Sequence, residues 1–86
     1  MLLGNKNQAQ TMPTPAETKL LKQFGQNVRA ERQKKGLSQE TLADMAELDR
    51  SYVGGVERGE RNISLLNIIK LAKAMGVAPA HLLKSI

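Results

Sequence analysis

The sequence predicts an all-α fold of five short helices, and three observations carry that prediction. Apolar residues recur at intervals of three and four along most of the chain, the spacing of one helical face. Residues suited to cap a helix start, Thr14, Ser38, Asp49 and Ser64, stand before these segments. Gly36, Gly59 and Gly76 stand after them, where helices stop. The chain has 86 residues and no cysteine, so one small domain must hold together by packing, without disulfides or thiolate metal sites. Its only aromatics are Phe24 and Tyr52, which makes the expected core aliphatic.

Residues 1–13 are polar and without period, and read as a flexible tail in which Asn5, Gln8 and Gln10 are the side chains able to touch a partner. Residues 14–86 form the domain. Thr14-Pro15-Ala16-Glu17 has capping-box spacing with proline at the first helical position, so a helix is expected from there to about Lys35. Leu20, Leu21, Phe24 and Val28 form its buried stripe, and Gly36 ends it. Arg32 lies one turn beyond Val28 on the same stripe, where a guanidinium requires an acid. Ser38 caps a second helix, about Gln39 to Ala46, with Leu42, Ala43 and Ala46 inward. Glu47-Leu48 makes a turn and Leu48 enters the core. Asp49 caps a third helix, Arg50 to Arg58, closed by Gly59. After a connector, Ser64 caps a fourth from Leu65 to Met75, with Leu65, Ile68, Leu71, Ala72 and Met75 as its core stripe. Gly76 stops it, Val77 packs, and Ala78-Pro79 opens a last helix through about Lys84. Leu66, Ile69, Val77, Leu82, Leu83 and Ile86 are more aliphatics than one face of so small a fold needs. They are expected to form a dimer patch, the other reading being that they complete the monomer core.

Residues 38–58, SQETLADMAELDRSYVGGVER, are the centre of the chain. At about 100° per residue, Tyr52, Val53, Val56 and Glu57 fall on one side of the third helix. Arg50, Ser51, Gly54, Gly55 and Arg58 fall on the other. Two adjacent glycines cost a helix about 1 kcal/mol each relative to alanine. What they provide is close approach of the backbone to another surface. A helix with arginine at its start and a bare middle suits the major groove of DNA, its N-terminal residues reaching base edges. The plainer reading of Gly54 and Gly55 is a distorted helix end. Thirteen Lys and Arg against eight acids give a net charge of +5, which suits a polyanionic partner. Arg29, Arg32, Lys34 and Lys35 cluster just before the motif, and Arg50, Arg58 and Arg61 sit in or just after it.

No apolar run approaches the length of a membrane span, and residues 1–12 lack the pattern of a signal peptide, so a cytoplasmic protein is expected. The one histidine, His81, has no nucleophile, acid pair or metal constellation near it in sequence. It reads as a surface residue near the dimer patch. An enzyme is not expected, nor a metal or other cofactor.

Five short helices with this motif as the second and third resemble the helix-turn-helix regulators of the phage-repressor (lambda repressor-like, XRE) type. The resemblance covers about residues 22–84. It rests on Arg32, Gly36-Leu37-Ser38-Gln39, Leu42-Ala43, Val53, Val56-Glu57-Arg58-Gly59, Leu71-Ala72 and Gly76-Val77. More narrowly, FGQNVRAERQKKGLSQETLA, LDRSYVGGVERGERNISLLNI and KLAKAMGV are similar to controller proteins of bacterial restriction–modification systems. These are small homodimers that bind palindromic operators in double-stranded DNA and regulate their own gene and that of the endonuclease. The resemblance implies a DNA-binding regulator, located in the bacterial cytoplasm at the nucleoid, and pairs Arg32 with Glu57 to lock the first helix to the third.

On this reading a homodimer places two third helices about 34 Å apart in successive major-groove faces. Arg50 pairs with guanine, worth ~1–3 kcal/mol of discrimination, and Ser51 and Tyr52 contact neighbouring base edges. Tyr52 lies on the wheel's boundary, so a core position with an exposed hydroxyl competes with that role. Gly54 and Gly55 let the helix sit deep. Gln39, Arg58 and Asn62 hold the DNA backbone, and Arg61 reaches phosphate or the adjacent minor groove. Activation would require contact with RNA polymerase, for which Asp44 and Glu47 are candidates. The rival readings are an antitoxin built on the same domain and a phage-type repressor.

Overall fold

A computed structural model describes residues 12–86, and the described residues form five helices and no strand. They are α1 (Pro15–Lys34), α2 (Gln39–Ala46), α3 (Arg50–Glu57), α4 (Leu65–Met75) and α5 (Pro79–Leu82). Of the tail expected over 1–13, residues 1–11, with Asn5, Gln8 and Gln10, lie outside the described residues.

Local chemistry sets the helix ends. Thr14 Oγ1 accepts from the Glu17 amide while Glu17 Oε1 accepts from the Thr14 amide, a closed capping box. Ser38 and Ser64 accept from the amides of Thr41 and Asn67. Asp49 occupies the cap position of α3, but its side chain makes no capping hydrogen bond. Gly36 takes φ +73°, a left-handed conformation that glycine adopts without a Cβ penalty. In the α2–α3 turn it is Glu47, with φ 58°, that takes this conformation. α3 ends one residue before the expected Arg58. α5 stops at Leu82 rather than Lys84, the Leu83 amide closing a tight turn on the Ala80 carbonyl.

α1 packs on α3, α2 on α3 and α4, and α5 on α4 and α1. Phe24, Val28, Leu42, Ala43, Ala46, Val53, Val56, Leu71, Ala72, Met75 and Leu82 fill the space between them, with Leu48 and Ile68 half-buried against this core. Gly25 brings the backbone of α1 onto α3: a Cβ there would lie 2.4 Å from the Val56 carbonyl oxygen and 2.5 Å from that of Glu57.

Four apolar expectations need correction. Leu20 is exposed and Leu21 only half-buried, because the first turns of α1 extend past the other helices. Leu65 is 68% exposed rather than in the core. Leu82, expected in the dimer patch, is fully buried, since α5 folds back over α1 and α4. Val77, expected in the same patch, is half-buried against the core. Leu66, Ile69, Leu83 and Ile86 do remain exposed.

Polar groups fix α5 in place. Asn27 Nδ2 donates to the carbonyls of Leu82 and Lys84 at 3.0 and 2.8 Å. His81 is half-buried and bonded to the buried Glu31, with 2.9 Å between Nε2 and Oε1, so it is not the free surface residue expected. Burial alone would raise the Glu31 carboxyl. The His81 hydrogen bond, and the charges of His81, Lys34 and Lys35, outweigh burial and hold it below the ordinary carboxylate value.

Candidate nucleic-acid interface

α2 and α3 meet across the turn at Glu47-Leu48, and α3 presents its N-terminal end to solvent. Arg50 and Ser51 are exposed there, while Val53 and Val56 on the opposite side are buried. Hydrophobic burial therefore fixes the rotation of α3, leaving one arginine and one hydroxyl outermost.

The orientation of α3 is locked further by a buried ion pair. Arg32 Nε donates to Glu57 Oε2 at 2.6 Å and Nη2 to Oε1 at 3.0 Å, a bidentate pair. Arg32 Nη1 also donates to the Leu37 carbonyl at 2.8 Å, tying in the segment before α2. Gln39 Nε2 donates to Glu57 Oε1 at 3.0 Å. One carboxylate thus gathers α1, the α1–α2 connection and the start of α2 onto α3. The Glu57 hydrogen bond raises the Arg32 guanidinium against the opposing effect of burial.

The middle of α3 is not bare. Gly54 and Gly55 are buried beneath polar side chains. A Cβ at Gly54 would lie 3.2 Å from Arg58 Nη1 and 3.5 Å from Gln39 Oε1; one at Gly55 would lie 3.1 Å from Arg61 Nε. The helical wheel showed the gap but not the long side chains that reach back over it from neighbouring segments.

These side chains are held by partners within the protein. Arg58 is paired with Glu60, Nε to Oε2 at 3.0 Å and Nη2 to Oε1 at 3.1 Å, on an exposed edge. The Arg58 hydrogen bond, with the charges of Arg58 and Arg61 behind it, holds the Glu60 carboxyl below the usual carboxylate range. The Arg61 guanidinium lies 5.7 Å from the centroid of the Tyr52 ring, within cation–π range. Tyr52 is half-buried against the core, and its hydroxyl is not free as expected for a core position: Asn67 Nδ2 donates to it at 3.0 Å. Asn62, like Arg50 and Ser51, is exposed. Arg50, Ser51, Tyr52, Gln39, Arg58 and Arg61 thus converge on one side of α3.

The sequence reading missed Glu60 and Asn67. Asn67 had a signal, because it stands one turn before Leu71 and two before Met75 on the buried side of α4. A polar residue at such a position needs a partner. The exposed pair Arg58–Glu60 gives no such signal.

A helix-turn-helix family model matches residues 28–82. The control protein C.BamHI of Bacillus amyloliquefaciens is 52% identical over 61 residues, covering 70% of this chain and 75% of that protein. A hypothetical transcription factor of Neisseria meningitidis is 46% identical over 84 residues, 95% of this chain and 76% of its own. The crystal structure of the restriction–modification controller protein C.AhdI of Aeromonas hydrophila superposes with a TM-score of 0.72 at 63% identity, covering 72% of this chain and 94% of that one. With the fold, the two-helix motif and these relatives in agreement, the chain belongs to the helix-turn-helix family and is a relative of the restriction–modification controller proteins.

Proposed function

We propose that this chain is a sequence-specific DNA-binding transcription regulator. It acts as a homodimeric controller protein that binds a palindromic operator and regulates its own gene and the gene of the associated endonuclease. The observation that carries the reading is the N-terminal end of α3: Arg50 and Ser51 stand exposed on a helix whose rotation is fixed by a buried core and by the Arg32–Glu57 pair. A cationic helix end held this rigidly suits readout of base edges in the major groove. Gln39, Arg58, Arg61 and Asn62 lie on the flanks, where phosphates would run, and Gly54 and Gly55 allow close approach once the side chains over them turn outward. The exposed Leu66, Ile69, Leu83 and Ile86 supply an apolar surface for the second copy. RNA polymerase is a further partner if the regulator activates, and the exposed Asp44 and Glu47 are available for that contact.

The test is a fluorescence-anisotropy titration with the duplex upstream of the gene against a shuffled duplex. A preference of about 10³-fold or more is expected. Arg50→Ala should abolish most of the preference, and Arg58→Ala should weaken both duplexes alike. Equal binding to both duplexes, or the two substitutions exchanging effects, would overturn the assignment.

A further inference from the structure

Asn67 is the third residue of α4, yet its side chain crosses to α3. Its Nδ2 donates to Tyr52 Oη at 3.0 Å. A phenol oxygen both accepts and donates. An oxygen that accepts from an amide keeps its own hydrogen for another acceptor, and that hydrogen must point away from Asn67. The ring cannot swing freely to follow other partners, because it packs against the core and lies beneath the Arg61 guanidinium. The backbone end of Asn67 is fixed too, its amide donating to Ser64 Oγ at 3.2 Å. The result is a hydroxyl of set polarity next to Arg50 and Ser51.

We propose that Asn67 is a positioning residue for operator specificity: by donating to Tyr52 Oη, it commits the tyrosine hydroxyl to act as a hydrogen-bond donor toward a base-edge acceptor. In the major groove those acceptors are purine N7, guanine O6 and thymine O4, so the pair selects against the exocyclic amines of adenine and cytosine at the base Tyr52 faces. This rests on the reading that α3 enters the major groove with Tyr52 at a base edge.

The polarity makes the proposal testable with Asn67→Asp. A carboxylate only accepts, so it draws the tyrosine hydrogen inward and removes the donor from the DNA side. The probe is the duplex that the wild-type chain enriches from a randomised pool, measured beside its single-base-pair variants and a shuffled control. Reading the ratio of affinities cancels the uniform repulsion that a new negative charge adds. Tyr52→Phe should lower the preference about five-fold, as expected for one lost hydrogen bond. Asn67→Asp should lower it by a similar factor, with discrimination lost at the same base pair, and the double variant should lose no more than either single one. Full preference in Asn67→Asp, or losses that multiply in the double variant, would overturn the role of Asn67 while leaving that of Tyr52 standing. No enrichment from the pool, or unchanged preference in Tyr52→Phe, would instead remove the reading beneath it, and the proposal with it.

Discussion

Replacing Glu57 by leucine would leave Arg32 with one hydrogen bond, to the Leu37 carbonyl, in a site where its side chain is only 11% exposed. Replacing Arg32 by methionine would leave the Glu57 carboxylate, 3% exposed, with only the amide of Gln39. An uncompensated buried charge of this kind costs about 3–5 kcal/mol. A folded chain of this length has on the order of 4–13 kcal/mol in total. Each single variant should therefore lose a large part of its stability, with a fall in Tm of at least about 12 °C, at about 4–8 °C per kcal/mol for a domain this small. The double variant Arg32→Met with Glu57→Leu has no stranded charge. It should be more stable than either single variant, because apolar replacement of a whole buried pair is often neutral. Urea unfolding followed by circular dichroism gives all three values. If the double variant lost the sum of the two single losses, the charges would not be acting on each other, and the account of how α1 holds α3 would be wrong.

Other expected outcomes follow from the same contacts. Gly25→Ala places a Cβ against the Val56 and Glu57 carbonyls and should cost at least about 1–3 kcal/mol in urea unfolding. Gly55→Ala meets only the side chain of Arg61, so thermal unfolding should show stability equal to wild type or up to about 1 kcal/mol higher, while anisotropy shows weaker DNA binding. Glu60→Gln frees Arg58 and should tighten binding to every duplex about two- to five-fold; no change when measured beside Arg58→Ala would mean that Arg58 does not meet phosphate. Because the folded-state value of Glu31 lies below its ordinary 4.5, its contribution is full above that pH and is lost as pH falls through the lowered value. The stability gap between wild type and Glu31→Gln should accordingly be present at neutral pH and close in acid, as measured by unfolding at a series of pH values.

The helix boundaries were legible because their causes are local. A serine oxygen finds an amide three residues on, and Gly36 turns the chain, whatever the rest of the molecule does. The buried polar residues Asn27 and Glu31 could have been read as well. They fall on the stripe of Phe24 and Val28, so each had to meet a partner, though the sequence did not say that both partners lie in and beyond α5. The apolar surplus near the C-terminus was not legible. Leu65, expected inside, and Leu82, expected outside, exchange places because α4 carries leucine or isoleucine on several sides and α5 is too short to have a period. At the site, the outward direction of Arg50 and Ser51 follows from the apolar side of a single helix. The covering of Gly54 and Gly55 depends on side chains from α2 and the α3–α4 connector, which no reading of one helix contains.

The Arg58–Glu60 pair changes what salt titrations of this protein count. Affinity for DNA falls with the logarithm of salt concentration because each phosphate that takes up a cationic side chain releases a condensed counterion, with a slope of about −0.9 per phosphate. Arg58 already carries an anion of its own. When a phosphate displaces Glu60, the carboxylate left behind gathers a cation from solution, which offsets the ion the DNA gives up. On the proposed docking, the slope would count about one phosphate fewer per protomer than the protein touches.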